Sequence, residues 1–153
     1  MDNFKIYIDT REQQPYRFDR WQVETERTGL STGDYSLAGF DDRVGIERKS
    51  LDDLIGCLMG KDRQRFEKEL ARGRAYELFA VVIEAGMDDI ARGRYKSKMK
   101  PEACLQSVTA FYIRYQVPFL FCGNRAGAEY LTYSTLTKYI QEIEKRYRHA
   151  AGK

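Results

Sequence analysis

Histidine is almost absent from this sequence: His149 is the only one in 153 residues, and it lies in a basic C-terminal stretch. Histidine-based nucleophilic triads, histidine-metal nucleases and most zinc hydrolases are thereby excluded. Cysteine is scarce and odd in number. Cys57, Cys104 and Cys122 show no metal-type pairing, so reduced, buried thiols are expected rather than a disulfide framework or a zinc site. No apolar run follows Met1 and none approaches the length of a bilayer span, which predicts a cytoplasmic protein without signal peptide or transmembrane segment. Strong net charge is missing too: the balance is only +3, so any attraction to a polyanion has to be local. What remains, 42% apolar and 32% charged residues, fits one globular domain with its own core.

The chain appears organised around residues 33–53. Gly33-Asp34-Tyr35-Ser36-Leu37 and Val44-Gly45-Ile46-Glu47-Arg48-Lys49 read as two strands of a hairpin turning at 39–43, with Gly33 as the tight entry. On an extended strand, residues two apart share a face, so Glu47 and Lys49 project to one side and Arg48 to the other. Asp34, on the neighbouring strand, can bring its carboxylate to the same place. Two hard oxygen donors beside a lysine are the Asp…Glu-x-Lys constellation of metal-dependent phosphodiester hydrolysis. A phosphodiester is anionic, and a divalent cation on carboxylates both neutralises it and makes hydroxide available near neutral pH. The lysine adds charge stabilisation and orients the attacking water, with a pKa open to lowering by nearby cations. The bare spacing also fits a solvated hairpin, on which acids and bases commonly alternate.

The residues around it are more specific. Gly33-Asp34 and Glu47-Arg48-Lys49-Ser50-Leu51-Asp52-Asp53 match Gly-Asp-x(n)-Glu-Arg-Lys-x3-Asp, the signature of the XPF-type nuclease domain, the family that includes the Hef and Mus nucleases of branched DNA. Ile8-Asp9-Thr10-Arg11-Glu12-Gln13 resembles that family's Asp-x-Arg-Glu element, and Leu30 to Tyr35, Arg63 to Phe66 and the strand ending Val82-Ile83-Glu84 are also similar. The resemblance covers roughly residues 4–148. It implies a three-layer α/β/α restriction-endonuclease-like fold with a central mixed sheet, spanning 1–149 and followed by a 150–153 tail.

The resemblance also implies a Mg²⁺- or Mn²⁺-dependent structure-specific endodeoxyribonuclease of DNA repair or recombination. Asp34 and Glu47, joined by the backbone carbonyl of Arg48, would hold the cation, and Asp9 would contribute directly or through water. Lys49 would orient water, and Arg48 would fasten the motif through Asp9, Glu12 or Asp53. Asp53 suits either a helix end or the motif, and the rival reading of Asp9 is the start of an Asx-type turn. Glu12 and Arg11 are supporting charges, Arg11 also a DNA contact, as are Arg63 and Arg65. Cleavage would leave a 5′-phosphate and a 3′-hydroxyl. Such domains pair, so a homodimer through the C-terminal half is expected. No helix-hairpin-helix domain is visible, so a separate targeting subunit is one possibility and modest, salt-sensitive affinity another. The rivals are a non-catalytic DNA-binding subunit and a sequence-specific restriction-like nuclease.

Read in order, the chain predicts strands at 4–9 and 22–26, the latter charged and edge-like. A helix follows at 51–59 with Ser50 as cap and a charged one at 61–76, its alternating signs read as mostly solvated. Residues 78–83 form an apolar strand buried on both faces, with Glu84 at its end. From 90 to 101 there is no acid, while Arg92, Arg94, Lys96, Lys98 and Lys100 occupy alternate positions with Tyr95 and Met99 between them. Such a run is either a solvated loop or a DNA-backbone contact. A proline-initiated helix at 101–115, a strand at 117–122, a short helix at 126–131 and a last helix at 134–148, with Leu136, Ile140, Ile143 and Tyr147 inward, complete the expectation.

Overall fold

The computed structural model describes residues 3–153. Six strands, β1 (Lys5–Asp9), β2 (Glu24–Thr28), β3 (Tyr35–Leu37), β4 (Val44–Lys49), β5 (Leu78–Ile83) and β6 (Phe119–Phe121), form one mixed sheet in the order β2-β1-β3-β4-β5-β6. Only β3 runs against the others, antiparallel to both β1 and β4. The C-terminal ends of β1, β4, β5 and β6 therefore meet the N-terminal end of β3 along one edge. Both halves of the nuclease-like motif arrive at that edge, the usual place for ligands on open α/β sheets.

Strand alternation sorts the core into two. Val44 and Ile46 of β4 with Ala80 and Val82 of β5 face the long helix α5 (Arg125–Ala150), through Ala128, Leu136 and Ile140. Val81 and Ile83 face the other way, onto α1 (Leu51–Gly56), α2 (Gly60–Gly73), α3 (Met87–Ala91) and α4 (Pro101–Tyr115). The result is the expected α/β/α sandwich. The 78–83 strand and the 101–115 helix match their predicted bounds, and Ser50 caps α1 by accepting the Asp53 N–H at 3.2 Å.

Three expectations need correction. The second strand lies two residues later than predicted, at 24–28, as an exposed edge parallel to β1. The two C-terminal helices are one, α5: Thr132 donates its hydroxyl to Ala128 O at 2.8 Å and Tyr133 stacks on Trp21 at 4.2 Å, so packing carries the helix through a stretch of low propensity. Of its inner stripe, Leu136 and Ile140 are buried, but Tyr147 is 67% exposed because the last turns of α5 run beyond the sheet.

Close approach fixes where α2 sits. A Cβ on Gly73 would lie 2.4 Å from Phe79 Cδ1, so the end of α2 packs its backbone directly on the β5 aromatic. Gly73→Ala is expected to destabilise the fold by about 1–3 kcal/mol through overpacking. Gly56→Ala, with nothing within 4 Å of the added methyl, is the control and should be neutral or slightly stabilising in the same urea titration.

Candidate active site

Asp34 is locked by its own backbone. Gly33 takes φ +88°, which only glycine adopts without strain, and turns the chain so that the Asp34 N–H donates to Ile46 O at 2.8 Å while its carbonyl accepts the Asp9 N–H at 2.8 Å. The Asp34 carboxylate then receives the Arg48 backbone N–H on Oδ2 at 2.8 Å. One strand position earlier, Glu47 is 7% exposed, with Lys49 Nζ 3.4 Å from its Oε1. Lys49 lies 5.2 Å above the Phe66 ring of α2. The predicted grouping of Asp34, Glu47 and Lys49 is present, with Glu47 and Lys49 on the α2 side of the sheet.

A further acid joins them. Glu69 of α2 hydrogen-bonds the Glu47 carboxyl and adds its charge to that felt by Asp34 and Lys49. Sequence reading assigned Glu69 to a solvated, internally paired helix face. Helical phase held the signal that was missed: Phe66, Glu69, Leu70 and Gly73 fall on one stripe of α2, and Phe66, Leu70 and Gly73 are all buried. Cys57, at the end of α1, also reaches Lys49 with its thiol.

Burial of acids beside acids decides the protonation chemistry. Desolvation raises Asp34 to about 6, with Glu12 and Glu69 adding to the rise against the Arg48 amide and Lys49. Glu47 is pushed well above the carboxylate range by burial, then by the hydrogen bond its protonated form donates to Glu69 and by the charges of Asp34 and Glu69. Burial would lower the Lys49 ammonium, but Glu47, Cys57, Glu69 and Asp34 outweigh it and hold it above its ordinary value. The acids around it thus stabilise the lysine in its charged form.

Arg48 points to the α5 side and is clamped. Its Nε and Nη2 donate to the two oxygens of Glu12 at 2.9 and 2.7 Å, and Nη1 donates to Glu84 Oε1 at 3.0 Å. Glu84 Oε2 accepts the Tyr16 hydroxyl at 2.7 Å and Arg125 Nη1 at 3.3 Å. Of the three carboxylates expected to fasten Arg48, Glu12 is the one used. Glu84 was not foreseen in this role. Burial alone would raise Glu12, yet the Arg48 guanidinium keeps it below the usual range.

Asp9 departs from its expected place near a metal. Its carboxylate is 2% exposed and accepts Arg11 Nε at 2.9 Å, the Leu30 N–H at 2.9 Å and the Arg11 N–H at 3.3 Å. These bonds overcome the cost of burial and lower its pKa. The carboxylate pins the loops after β1 and β2, close to the Asx-turn reading. Arg11 is held by that acid and by Leu30 O at 3.0 Å, with 76% of its side chain still exposed. Asp53 is exposed in the first turn of α1, and the ion pairs of Arg48 and Lys49 go elsewhere, so it serves the helix end.

The expected phosphate contacts divide. Arg63 is built into the α2–α4 junction: it donates to Leu58 O at 3.0 Å and Ser107 Oγ at 3.1 Å and stacks 4.7 Å over Phe111. Arg65 is 83% exposed. In the basic run, Arg92, Arg94, Lys96, Lys98 and Lys100 are exposed, while Tyr95 and Met99 pack against the α1–α4 core. Arg92 and Arg94 pair with Asp88 and Asp89. The Lys96 N–H donates to Asp52 Oδ1 at 2.9 Å, and so ties the loop to the first turn of α1, immediately after the Glu47–Lys49 strand. The run is an anchored basic loop rather than a free one.

Whether these residues suit a hard cation follows from the donors. Glu47 is buried and Asp34 half-buried, each within reach of the other's charge, and among the described residues no three acids, cysteines or histidines converge at metal-holding distance. The Asp9 carboxylate is engaged by Arg11 and Leu30, which leaves Asp34 and Glu47 as the side-chain donors nearest each other. Two carboxylates and a carbonyl with the remaining positions left to water suit Mg²⁺ or Mn²⁺, and Mg²⁺ keeps several waters by preference.

Asp34 binds its proton more tightly folded than unfolded, so without metal stability falls as pH rises from about 4 through 6. In EDTA, the melting temperature of Asp34→Asn should fall less steeply than that of the wild type across this interval. Parallel slopes in thermal melts would remove Asp34 as their source.

Residues 8–134 match the model of the ERCC4 domain. No curated protein matches. Two solved structures are similar. XPF from Aeropyrum pernix superposes with a TM-score of 0.70 at 18% identity, over 94% of this chain and 69% of that one. XPF from the same organism in complex with DNA gives 0.68 at 20% identity, over 91% of this chain and 66% of the other. The chain thus spans about two thirds of each, and the likeness carries the fold. With the family model covering most of its length and its motif gathered at the sheet edge, this chain belongs to the ERCC4 domain family.

Proposed function

We propose that this chain is a divalent-metal-dependent DNA endonuclease that hydrolyses phosphodiester bonds in branched or flapped DNA during repair or recombination. The observation that carries the reading is the junction of Asp34, Glu47 and Lys49 at the sheet edge of an ERCC4 domain. A DNA complex of the similar Aeropyrum XPF supports the choice of substrate.

Asp34 and Glu47, with the backbone carbonyl of Arg48, would hold Mg²⁺ or Mn²⁺. When bound, the cation supplies neutralisation of the phosphate and acidification of a water. The Arg48 backbone N–H fixes the Asp34 carboxylate, and the Glu12–Arg48–Glu84 clamp fixes Arg48. Lys49, kept charged by the acids around it, orients the attacking water and stabilises the extra negative charge of the transition state. Glu69, beside Glu47, adds to the negative charge that a bound cation would neutralise. Attack by water on phosphorus breaks the bond to the 3′ oxygen, leaving a 3′-hydroxyl and a 5′-phosphate. The exposed basic residues of 92–100, beside α1, track the phosphates on that side.

A homodimer through the C-terminal half completes the proposal. The β6 edge, Phe119 to Phe121, is only half-buried, and Tyr112 of α4 beside it is 54% exposed. Unpaired apolar edges of this kind invite pairing with a second chain.

End-labelled plain duplex, single strand, flap, fork and four-way junction should show cutting of branched forms in Mg²⁺ or Mn²⁺. Asp34→Asn and Lys49→Ala should each lower the rate by about 10²–10⁴-fold while still binding. Binding without cutting by the wild type would instead indicate a non-catalytic subunit, and cutting of plain duplex at one sequence a restriction-like enzyme. Light scattering at micromolar concentration should give twice the 17.9 kDa chain mass, and a monomer there removes the dimer.

A further inference from the structure

The sheet edge carries basic residues on both of its faces, and only one group is used above. Loop 92–100 packs with the α1–α4 layer. On the α5 side, the loop after β1 and the start of α5 enclose a surface cleft of about 300 Å³, lined by Tyr16, Arg17, Arg20 and Arg125 together with Asp19 and Glu129. Arg17 and Arg20 are exposed, and Arg125 is 44% exposed.

This cleft is held in shape. Tyr16 stacks on Tyr35 at 5.2 Å, and Trp21 stacks on Tyr133 at 4.2 Å with the Arg20 guanidinium 5.2 Å over its ring. The Phe18 N–H donates to Glu129 Oε1 at 2.7 Å, which occupies one of the two acids. Arg125 lies 4.7 Å over the Tyr16 ring and donates to Gln14 O at 2.7 Å. The first turn of α5 contains no acidic residue, so the positive helix end adds to the arginines. A concave, rigid, arginine-lined surface beside a hydrolytic site suits repeated phosphates better than a single small anion.

We infer that Arg17, Arg20 and Arg125 form a second DNA-backbone contact, on the opposite face of the sheet from loop 92–100. The inference rests on the nuclease reading and adds that the substrate crosses the sheet edge, with phosphates held on both sides of the scissile bond. The two surfaces are separated by the sheet and a layer on each side, roughly 20 Å, which corresponds to about six nucleotides of one strand. Asp19 remains as a neighbouring acid and limits the contact to few phosphates.

Fluorescence anisotropy of the full chain with a forked DNA, in Ca²⁺ across a salt series, tests this directly. Arg17→Ala/Arg20→Ala should weaken binding by about tenfold and reduce the slope of log affinity against log salt by about 2, as expected for the loss of two phosphate contacts. Lys138→Ala/Lys145→Ala, an equal loss of charge farther along α5, should change neither. An unchanged slope in the arginine pair, with Lys96→Ala/Lys98→Ala still weakening binding, overturns the second contact and leaves DNA binding intact. Equal losses in the arginine pair and in the α5 lysine pair overturn it in favour of bulk charge. No binding by the wild type overturns both the contact and the nuclease reading.

Discussion

The fold of the site depends on one buried guanidinium. Arg48 is 13% exposed and bridges Glu12, from the loop after β1, to Glu84, at the end of β5. Its fork geometry meets Glu12 with two parallel hydrogen bonds, which a lysine could not reproduce. Because side chains alternate along a strand, fastening Arg48 to one face presents Glu47 and Lys49 on the other, and the Arg48 backbone N–H positions Asp34 as well. A buried ion pair of this kind contributes little net stability, but removing one partner leaves a charge stranded, about 3–5 kcal/mol in comparable cases. Geometry, rather than stability, is what the clamp supplies.

On the other face the balance is reversed. Asp34, Glu47 and Glu69 crowd together with Lys49 as the adjacent cation, and burial drives Asp34 and Glu47 toward protonation. The clamp face is a charge-matched network, with Glu12 held below its usual pKa and Arg48 above. The acidic face carries an electrostatic deficit that a divalent cation would relieve.

Tyr16 and Trp21 of the loop after β1 extend this logic outward. Tyr16 connects the clamp to the aromatic stack on Tyr35, and Arg125 ties the start of α5 to the same hub. Loop 92–100, by contrast, is anchored through Tyr95 and Met99 in the opposite core. Both loops keep their cations outward by burying the residues between them. Rigid loops of this sort lose little entropy when they meet a ligand.

Much of this was legible in the amino-acid order. Period-two alternation in β4 separated Arg48 from Glu47 and Lys49, a glycine before Asp34 marked the tight turn, and the unbroken apolar run 78–83 marked the central strand. These are local matters, set by strand geometry and backbone sterics. Tertiary packing decided the rest. Asp9 went to Arg11 and Leu30, Glu84 became the second partner of Arg48, and Glu69 turned from an apparently solvated helix face toward Glu47 because Phe66 packs beneath Lys49. A carboxylate's partner depends on which cation lies within about 3 Å in space, and that distance is decided by how sheet, helices and loops pack rather than by any spacing along the chain.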